Sequence, residues 1–251
     1  MRNFIEHITR KAGNTALKYF KKPELKFSHK KNIADVVTEA DHASNKVLLD
    51  AIKKRFPAHG IISEETGEEQ TSAEYVWIID PLDGTRNFLT HTPLWGTMVG
   101  LARNKQMIAA AIYDPNHDEL VYAERGKGAY LNGKRIHCSL TLPFSYGVIN
   151  TILRSSDLRF ITRLANNKEG EGVWAGNVGS AAMMAISVAT GRRDWAVVSF
   201  RHIWDQAMLT LACHEAGCRT SDFTGKPWAW ESRGIVVANA VLHKKLMRMV
   251  K

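Results

Sequence analysis

The sequence predicts an α+β protein in which helices and sheets pack as layers, and three observations support this fold class. Residues 3–20 carry apolar side chains at every third or fourth position, which is typical of an amphipathic helix. The segment Val76–Ile79 is apolar at each position, which indicates a strand that is covered on both faces. Strand-like and helix-like segments then interleave to the end of the chain, without an internal repeat or an obvious linker.

The rest of the first half predicts one further helix and a series of strands. A polar, lysine-rich passage through Lys31 predicts a loop or an exposed hairpin, and a helix follows over 39–56, ending before Pro57. Residues 66–74 are polar and predict a loop. Apolar runs predict strands at 61–63, 95–102, 107–113 and 119–123. Tight turns are predicted at Gly126, Gly128 and Asn132-Gly133.

The second half begins near Ser139 and continues the mixture of helices and strands. Small apolar residues over 179–190 predict a helix that packs closely on its neighbours. The remaining apolar segments predict strands at 195–198 and 235–238 and helices at 204–216 and 241–250. We therefore expect one domain over residues 1–251 with two intimate halves, 1–138 and 139–251.

Bulk properties favour a cytoplasmic protein. No segment reaches the ~18 consecutive apolar residues of a membrane span, and the first residues lack the apolar core of a secretory signal. Three cysteines are too few for a disulfide framework, so we expect reduced thiols. Cys213 and Cys218 are five positions apart near a predicted helix, which predicts that they point to different faces.

The chain is basic, with a formal net charge of +9. The lysines and arginines occur in several separate pairs, which is compatible with an ordinary solvated surface. The sharper interpretation is attraction to polyanions, either phosphorylated substrates or nucleic acid. No zinc knuckle, RNA-recognition signature or basic-aromatic repeat supports dedicated nucleic-acid recognition.

Two carboxylates lie three positions apart directly after the apolar run, in Asp80-Pro81-Leu82-Asp83-Gly84-Thr85. Two such charges at ~4 Å repel by about 4 kcal/mol at an effective dielectric of 20, and hard divalent cations between the oxygens keep such a pair ionised. Because side chains alternate along a strand, a turn stiffened by Pro81 has to aim both at one point. Gly84 and Thr85 offer N–H groups and a hydroxyl to a phosphate. The motif indicates metal-assisted phosphoryl chemistry.

Each acidic position also has a purely structural interpretation. Asp-Pro and Asp-Gly are common turn formers. Asp205, at the start of a predicted helix, is also typical of an N-cap. Glu64 and Glu65 suit a solvated loop, and Thr38 with Asp41 suits a capping box. Taken singly, these residues leave both interpretations open.

Taken together and in order, the segments resemble the inositol monophosphatase family of magnesium-dependent, lithium-sensitive phosphatases, over nearly the whole chain. The resemblance is carried by residues 35–41 (DVVTEAD), 62–65 (ISEE), 77–88 (WIIDPLDGTRNF), 126–129 (GKGA), 179–182 (GSAA), 204–207 (WDQA) and 215–217 (EAG). The Asp80-to-Thr85 motif with the distant Trp204-Asp205 is highly specific. The resemblance implies a layered αβαβα sandwich of the sugar-phosphatase type and a homodimer.

The resemblance also implies a role for each site residue. Glu64, Asp80 and the Leu82 carbonyl would hold one Mg²⁺, and Asp80, Asp83 and Asp205 a second, with a third ion near Glu64. Glu64 would also act in catalysis together with Thr85, whose hydroxyl Asp41 would orient to position the attacking water. The N–H groups of Gly84 and Thr85 would bind phosphate oxygens. The substrate would be held by Asp83, Gly84, Thr85, Arg201 and Asp205.

The chain departs from the family pattern where the substrate is recognised. Inositol phosphatases carry a Glu seven residues before the aspartate of Trp-Asp, and this position is Val198 here. A valine cannot accept hydrogen bonds from inositol hydroxyls, whereas Arg201 and His202 would favour an anionic or polar leaving group. Arg86 adds another positive candidate, Lys30 matches a loop lysine near the third metal, and Cys218 replaces a second glycine after Gly217.

We therefore expect an Mg²⁺-dependent phosphomonoesterase with inositol-1-phosphate as the default substrate. Histidinol phosphate and nucleotide 3′-phosphates are the alternatives. A hypothesis of another class is a nucleic-acid-associated regulatory protein that retains the fold, which the +9 charge motivates. Four intact acidic positions argue against a pure binding role, because binding alone would not require them.

Overall fold

The computed structural model describes residues 1–22, 24–29, 36–141, 146–150, 160–164, 166, 174–199, 202–232 and 234–250. Its helices are α1 (Arg2–Phe20), α2 (Glu39–Arg55), α3 (Thr85–Leu89), α4 (Ala181–Ala189), α5 (Ile203–Glu215) and α6 (Ala240–Val250), and residues 160–164 are also helical. The strands of the first half are β1 (Phe27–His29), β2 (Val36–Thr38), β3 (Gly60–Ser63), β4 (Gly67–Glu69), β5 (Tyr75–Asp83), β6 (Gly96–Arg103), β7 (Gln106–Asp114), β8 (Glu119–Glu124), β9 (Gly128–Leu131) and β10 (Lys134–Ile136). Those of the second half are β11 (Tyr146–Asn150), β12 (Trp174–Gly176), β13 (Trp195–Val198), β14 (Arg219–Ser221) and β15 (Ile235–Ala238).

The strands form a large sheet, a smaller sheet and a hairpin. The eight-stranded sheet has the order β10-β9-β8-β7-β6-β5-β3-β4, and only its β3–β5 pair is parallel. The five-stranded sheet has the order β12-β11-β13-β15-β14 and combines parallel and antiparallel pairs. β1 and β2 pair antiparallel. β1 lies within the passage that was predicted as a loop or an exposed hairpin, whereas β2 lies outside that passage and is largely buried.

The layers follow from alternation along the strands. Trp77 and Ile79 of β5 pack against α1 and α2, whereas Ile78, between them, faces the cluster that contains α4 and α5. The other side of α4 and α5 is covered by Val198 and Val237 of the small sheet. The outer face of that sheet packs on α6 and on residues 160–164. The result is the expected αβαβα sandwich.

The predicted helices and the apolar strands are confirmed to within two residues at most ends, and the strand predicted at 76–79 extends to Asp83. The loop prediction for residues 66–74 is wrong at β4, because Gly67, Glu68 and Glu69 pair with β3 through their backbone although all three are exposed. The sequence analysis also missed β2, β9, β10, β11, β12 and β14. These strands are short, and β12 is an exposed edge.

The expectation that Cys213 and Cys218 face apart is wrong. α5 ends at Glu215, and Gly217 adopts a left-handed conformation (φ 94°), so that the Cys218 N–H donates to the Cys213 carbonyl at 3.0 Å. This closure of a helix end characteristically brings the two side chains together. The thiol of Cys218 contacts both Cys213 and Cys138, and all three are buried and free, as expected for reduced thiols.

Candidate metal centre

The carboxyl end of β5 brings Asp80 and Asp83 to one point through a bulge inside the strand. Asp80 lies opposite Met98 of β6, but Asp83 lies opposite Gly96, so β5 has one extra residue in this interval. The carbonyl of Pro81 in the bulge accepts hydrogen bonds from the hydroxyls of Ser44 (2.8 Å) and Thr97 (3.0 Å). These two buried hydroxyls fix the irregular backbone on both sides.

Asp205 reaches the same point from the first turn of α5. The N-cap of α5 is His202, whose side chain makes no capping hydrogen bond, so the N-cap interpretation of Asp205 is wrong. One carboxylate oxygen from each of Asp80, Asp83 and Asp205 lies within 4.8 Å of the other two. Two distant segments of the chain therefore build one acidic cluster.

The cluster gathers several carboxyl groups, of which Asp80 and Asp83 are buried and Asp205 is half-buried. Burial raises the pKa of Asp80 well above its usual range, and the negative charges of Glu64, Asp83 and Asp205 raise it further. Burial likewise raises the pKa of Asp83 and of Asp205. Buried carboxylates at this spacing remain ionised only with a compensating positive charge.

The hydrogen bonds of the cluster leave oxygen atoms available for a cation. Asp80 Oδ1 accepts the Leu82 N–H at 3.1 Å, whereas Asp80 Oδ2 is buried and has no hydrogen-bond partner among the described residues. Asp83 Oδ2 accepts from the hydroxyl of Ser180 and from the N–H of Ala182 (2.8 Å), at the start of α4. The donor set consists only of hard oxygens, and such a set with an unpartnered buried oxygen fits Mg²⁺.

Glu64 and the Leu82 carbonyl border this cluster. Glu64 follows β3, its N–H donates to the Ile79 carbonyl at 3.3 Å, and its charge acts on both Asp80 and Asp205. The Leu82 carbonyl accepts the Thr85 hydroxyl at 3.2 Å. The structure therefore brings Glu64, Asp80, Asp83 and Asp205 together, although the 4.8 Å group contains only the three aspartates.

Asp41 makes hydrogen bonds that fit both of the interpretations that the sequence left open. Thr38 and Asp41 form a complete capping box at the start of α2, with Asp41 Oδ2 2.7 Å from the Thr38 N atom. The other carboxylate oxygen, Oδ1, accepts the Thr85 hydroxyl at 3.3 Å. Burial, opposed by the Thr38 hydroxyl, raises the pKa of Asp41 to about 7. The box holds Asp41 so that it can orient Thr85.

Gly84 is the N-cap of the five-residue helix α3 and has φ 88°. A side chain there would place its Cβ 2.9 Å from the Leu94 carbonyl oxygen. The conformation and the close packing both require glycine. The N–H groups of the first turn of α3 begin directly after Asp83.

The remaining candidate residues have varied outcomes. Arg201, Lys30 and Asp35 lie outside the described residues. Val198 is fully buried in the core between the sheets. His202 is exposed, and its ring stacks on Trp204 with centroids 4.6 Å apart.

The sequence analysis missed Ser44, Thr97 and Ser180, which anchor the Pro81 carbonyl or Asp83. All three are buried hydroxyl residues. The one available signal was a polar residue at a position whose neighbours are apolar or small.

No helix in the described part of the chain is long and apolar enough to cross a bilayer.

The layered sandwich with an acidic cluster at the end of a long central strand defines the class of sugar-phosphatase folds. The sequence model of the inositol monophosphatase family matches residues 1–251, and the chain belongs to this family. It is 34% identical over 251 residues to the Nus factor SuhB of Escherichia coli K12, which covers 98% of this chain and 94% of SuhB.

Two further similarities agree with this assignment. The chain is 32% identical over 255 residues to an inositol-1-monophosphatase of Mesorhizobium japonicum, covering 99% and 95% of the two chains. The crystal structure of the extragenic suppressor protein SuhB from Bartonella henselae superposes with a TM-score of 0.91 at 29% identity, covering 100% of this chain and 98% of that one.

Proposed function

We propose that the protein hydrolyses a small phosphate monoester in an Mg²⁺-dependent reaction. The observation that carries this proposal is the convergence of Asp80, Asp83 and Asp205 from two distant elements, within 4.8 Å and with one buried oxygen unpartnered. A stable fold does not need such a costly cluster. Membership of the family and the similarity to an inositol-1-monophosphatase support the same conclusion.

The acidic residues divide into two sets of ligands. Glu64, Asp80 and the Leu82 carbonyl would hold one ion, and Asp80, Asp83 and Asp205 a second, with a third ion near Glu64. When bound, Mg²⁺ lowers the pKa of water and neutralises charge on a leaving oxygen. The protein has to keep these oxygens fixed, and Ser180 does so for Asp83 through its hydroxyl.

The other residues of the site bind and orient. The N–H groups of Gly84 and Thr85, at the start of α3, would hold phosphate oxygens beside Asp83. Thr85 would position the attacking water through its hydroxyl, which Asp41 and the Leu82 carbonyl accept at 3.3 and 3.2 Å. Asp205 and Arg201 would contact the leaving group.

Inositol-1-phosphate is the default substrate, and histidinol phosphate and nucleotide 3′-phosphates are the alternatives. Val198 cannot bind inositol hydroxyls, because it is apolar and buried in the core. The exposed ring of His202 on Trp204 offers a polar aromatic surface to a different leaving group. A panel of these monoesters, assayed for phosphate release with Mg²⁺ and with added Li⁺, would separate the candidates.

Asp80→Asn tests the catalytic proposal. Phosphate release should fall to background while the far-ultraviolet circular dichroism stays unchanged, because the variant removes a ligand shared by both ions. Asp50→Asn is the matched control, since Asp50 lies on the exposed face of α2 and forms an ion pair with Lys46. Full activity of Asp80→Asn would contradict the metal assignment.

A second candidate function is a nucleic-acid-associated regulatory role in the cytoplasm, with a homodimer as the expected assembly. It is favoured by the net charge of +9 and by the similarity to proteins named Nus factor SuhB. If Asp80→Asn keeps the regulatory role while it loses phosphate release, the regulatory role does not depend on phosphatase activity.

A further inference from the structure

The positive charge of the chain is concentrated in its first 56 residues. They contain 13 Lys and Arg against six Asp and Glu, which accounts for +7 of the net +9. Residues 57–251 are therefore close to neutral, with +2. The helices α1 and α2, which form one outer layer of the sandwich, carry eight Lys and Arg against four Asp and Glu, or +4 of this charge.

α1 and α2 lie side by side and antiparallel on the large sheet. At one end the rings of Phe4 and Phe56 meet with centroids 5.2 Å apart, and at the other Lys22 approaches Glu39 at 3.8 Å. Both helices bury their apolar stripes against β5 and its neighbours. Their outer faces carry no exposed large apolar side chain.

Four lysines lie along the outer face of α1 and directly after its last residue. Lys11, Lys18, Lys21 and Lys22, here called the basic row, are all exposed. Helical periodicity places Lys11, Lys18 and the C-cap Lys21 within an arc of about 80° and over about 15 Å, and Lys22 follows directly. The outer face of α2 adds the exposed Lys46 and Lys54.

Most of the basic row is not neutralised. In the described part of the chain, Lys11, Lys18 and Lys21 form no ion pair, whereas Lys22 approaches Glu39. The acidic residues of α1 and α2 are Glu6, Glu39, Asp41 and Asp50. Glu6 forms an ion pair with Arg2, and Asp50 forms one with Lys46. Asp41 is buried. The row therefore presents uncompensated charge along α1 and just beyond its end.

We propose that the basic row binds the phosphodiester backbone of single-stranded nucleic acid without reading its sequence. A line of cations at intervals of several ångströms fits a polymer with repeated phosphates better than a single phosphate. Two adjacent helices of about 10 Å each are too broad for the ~12 Å major groove of a duplex. A flexible single strand can follow the row. The lack of exposed large apolar side chains on the two helices disfavours insertion into a membrane.

This inference rests on the second candidate function and does not depend on phosphatase activity. The test is fluorescence anisotropy of a labelled 20-nucleotide oligouridylate, titrated with the full chain at 50–200 mM KCl. The variant is Lys11→Gln with Lys18→Gln and Lys21→Gln, all exposed positions without ion pairs. The matched control is Lys134→Gln with Lys226→Gln and Lys244→Gln, which removes the same charge from exposed positions elsewhere.

A plot of the logarithm of the binding constant against the logarithm of the salt concentration has a negative slope, and loss of three phosphate contacts should make it less steep by about 2. Affinity at 50 mM KCl should fall by about tenfold or more. The control should stay within about twofold of the parent chain. Equal losses in both variants, absence of binding, tighter binding to a duplex, or preference for phosphatidylserine vesicles would each overturn the proposal. Asp80→Asn should bind the oligonucleotide normally, and the α1 variant should release phosphate normally, so failure of either proposal is recognised separately.

Discussion

Without divalent metal, replacing Asp80 by asparagine should stabilise the protein. The carboxylate oxygens of Asp80, Asp83 and Asp205 lie within 4.8 Å of one another, and Glu64 adds its charge. One ionised neighbour at that distance costs about 3 kcal/mol at an effective dielectric of 20. Burial raises the pKa of Asp80 in the folded state, so the folded protein favours the protonated carboxyl group. The free energy of unfolding is therefore highest at low pH and falls as the pH rises above about 4.

The assay is thermal unfolding at pH 8 in EDTA and with increasing Mg²⁺. In EDTA, a gain of about 3 kcal/mol corresponds to a rise of roughly 6–12 °C in melting temperature for a chain of this size. In Mg²⁺ the order should reverse, since the parent chain gains about 4.1 kcal/mol when the ion is at 1,000 times its dissociation constant. Asp50→Asn should follow the parent chain under both conditions.

Two results would refute this reasoning. If Asp80→Asn is less stable than the parent chain in EDTA, repulsion within the cluster is not the dominant cost. If Mg²⁺ stabilises the variant as much as the parent chain, the ion binds elsewhere.

Three further changes test other parts of the structure. Thr38→Ala removes the capping box of α2. The free energy of unfolding, measured by denaturant titration, should fall by about 1–2 kcal/mol, and an activity assay should show less phosphate release. Gly84→Ala should abolish most activity and destabilise the fold, because its Cβ would lie 2.9 Å from the Leu94 carbonyl oxygen; Gly126→Ala, with φ 72° and open space around its Cβ, is the control. Burial, aided by a neighbouring arginine, lowers the pKa of His243 to about 4, so the unfolded chain binds more protons between pH 6.5 and 4 and stability is lost as the pH falls through that window. His243→Gln should remove on the order of 2 kcal/mol of that pH dependence, measured as the free energy of unfolding at pH 7 and pH 4.

The sequence predicted the layers because their signals are local. The apolar run through Trp77 and Ile79 indicated a strand covered on both faces, and this is what the structure shows. Exposed β4 could not be predicted, since it is paired through its backbone and lacks an apolar pattern. The contact between Cys213 and Cys218 depends on how the chain leaves α5, which residue spacing alone does not reveal.

At the site, residue types were predictable and geometry was not. A turn was expected to aim Asp80 and Asp83 at one point, but the structure uses a bulge held by Ser44 and Thr97. Neither hydroxyl is close in sequence to the carboxylates on which it acts through the backbone. The proximity of Asp205 followed only from resemblance to a family, since no local pattern links positions 120 residues apart.

The most direct test is anomalous diffraction from crystals soaked in Mn²⁺, as a substitute for Mg²⁺. The cluster of Asp80, Asp83 and Asp205 predicts at least one strong peak among their carboxylate oxygens, and its loss in Asp80→Asn crystals. Well-ordered carboxylates without a peak, or manganese bound only at other positions, would contradict the assignment of this cluster as the metal centre.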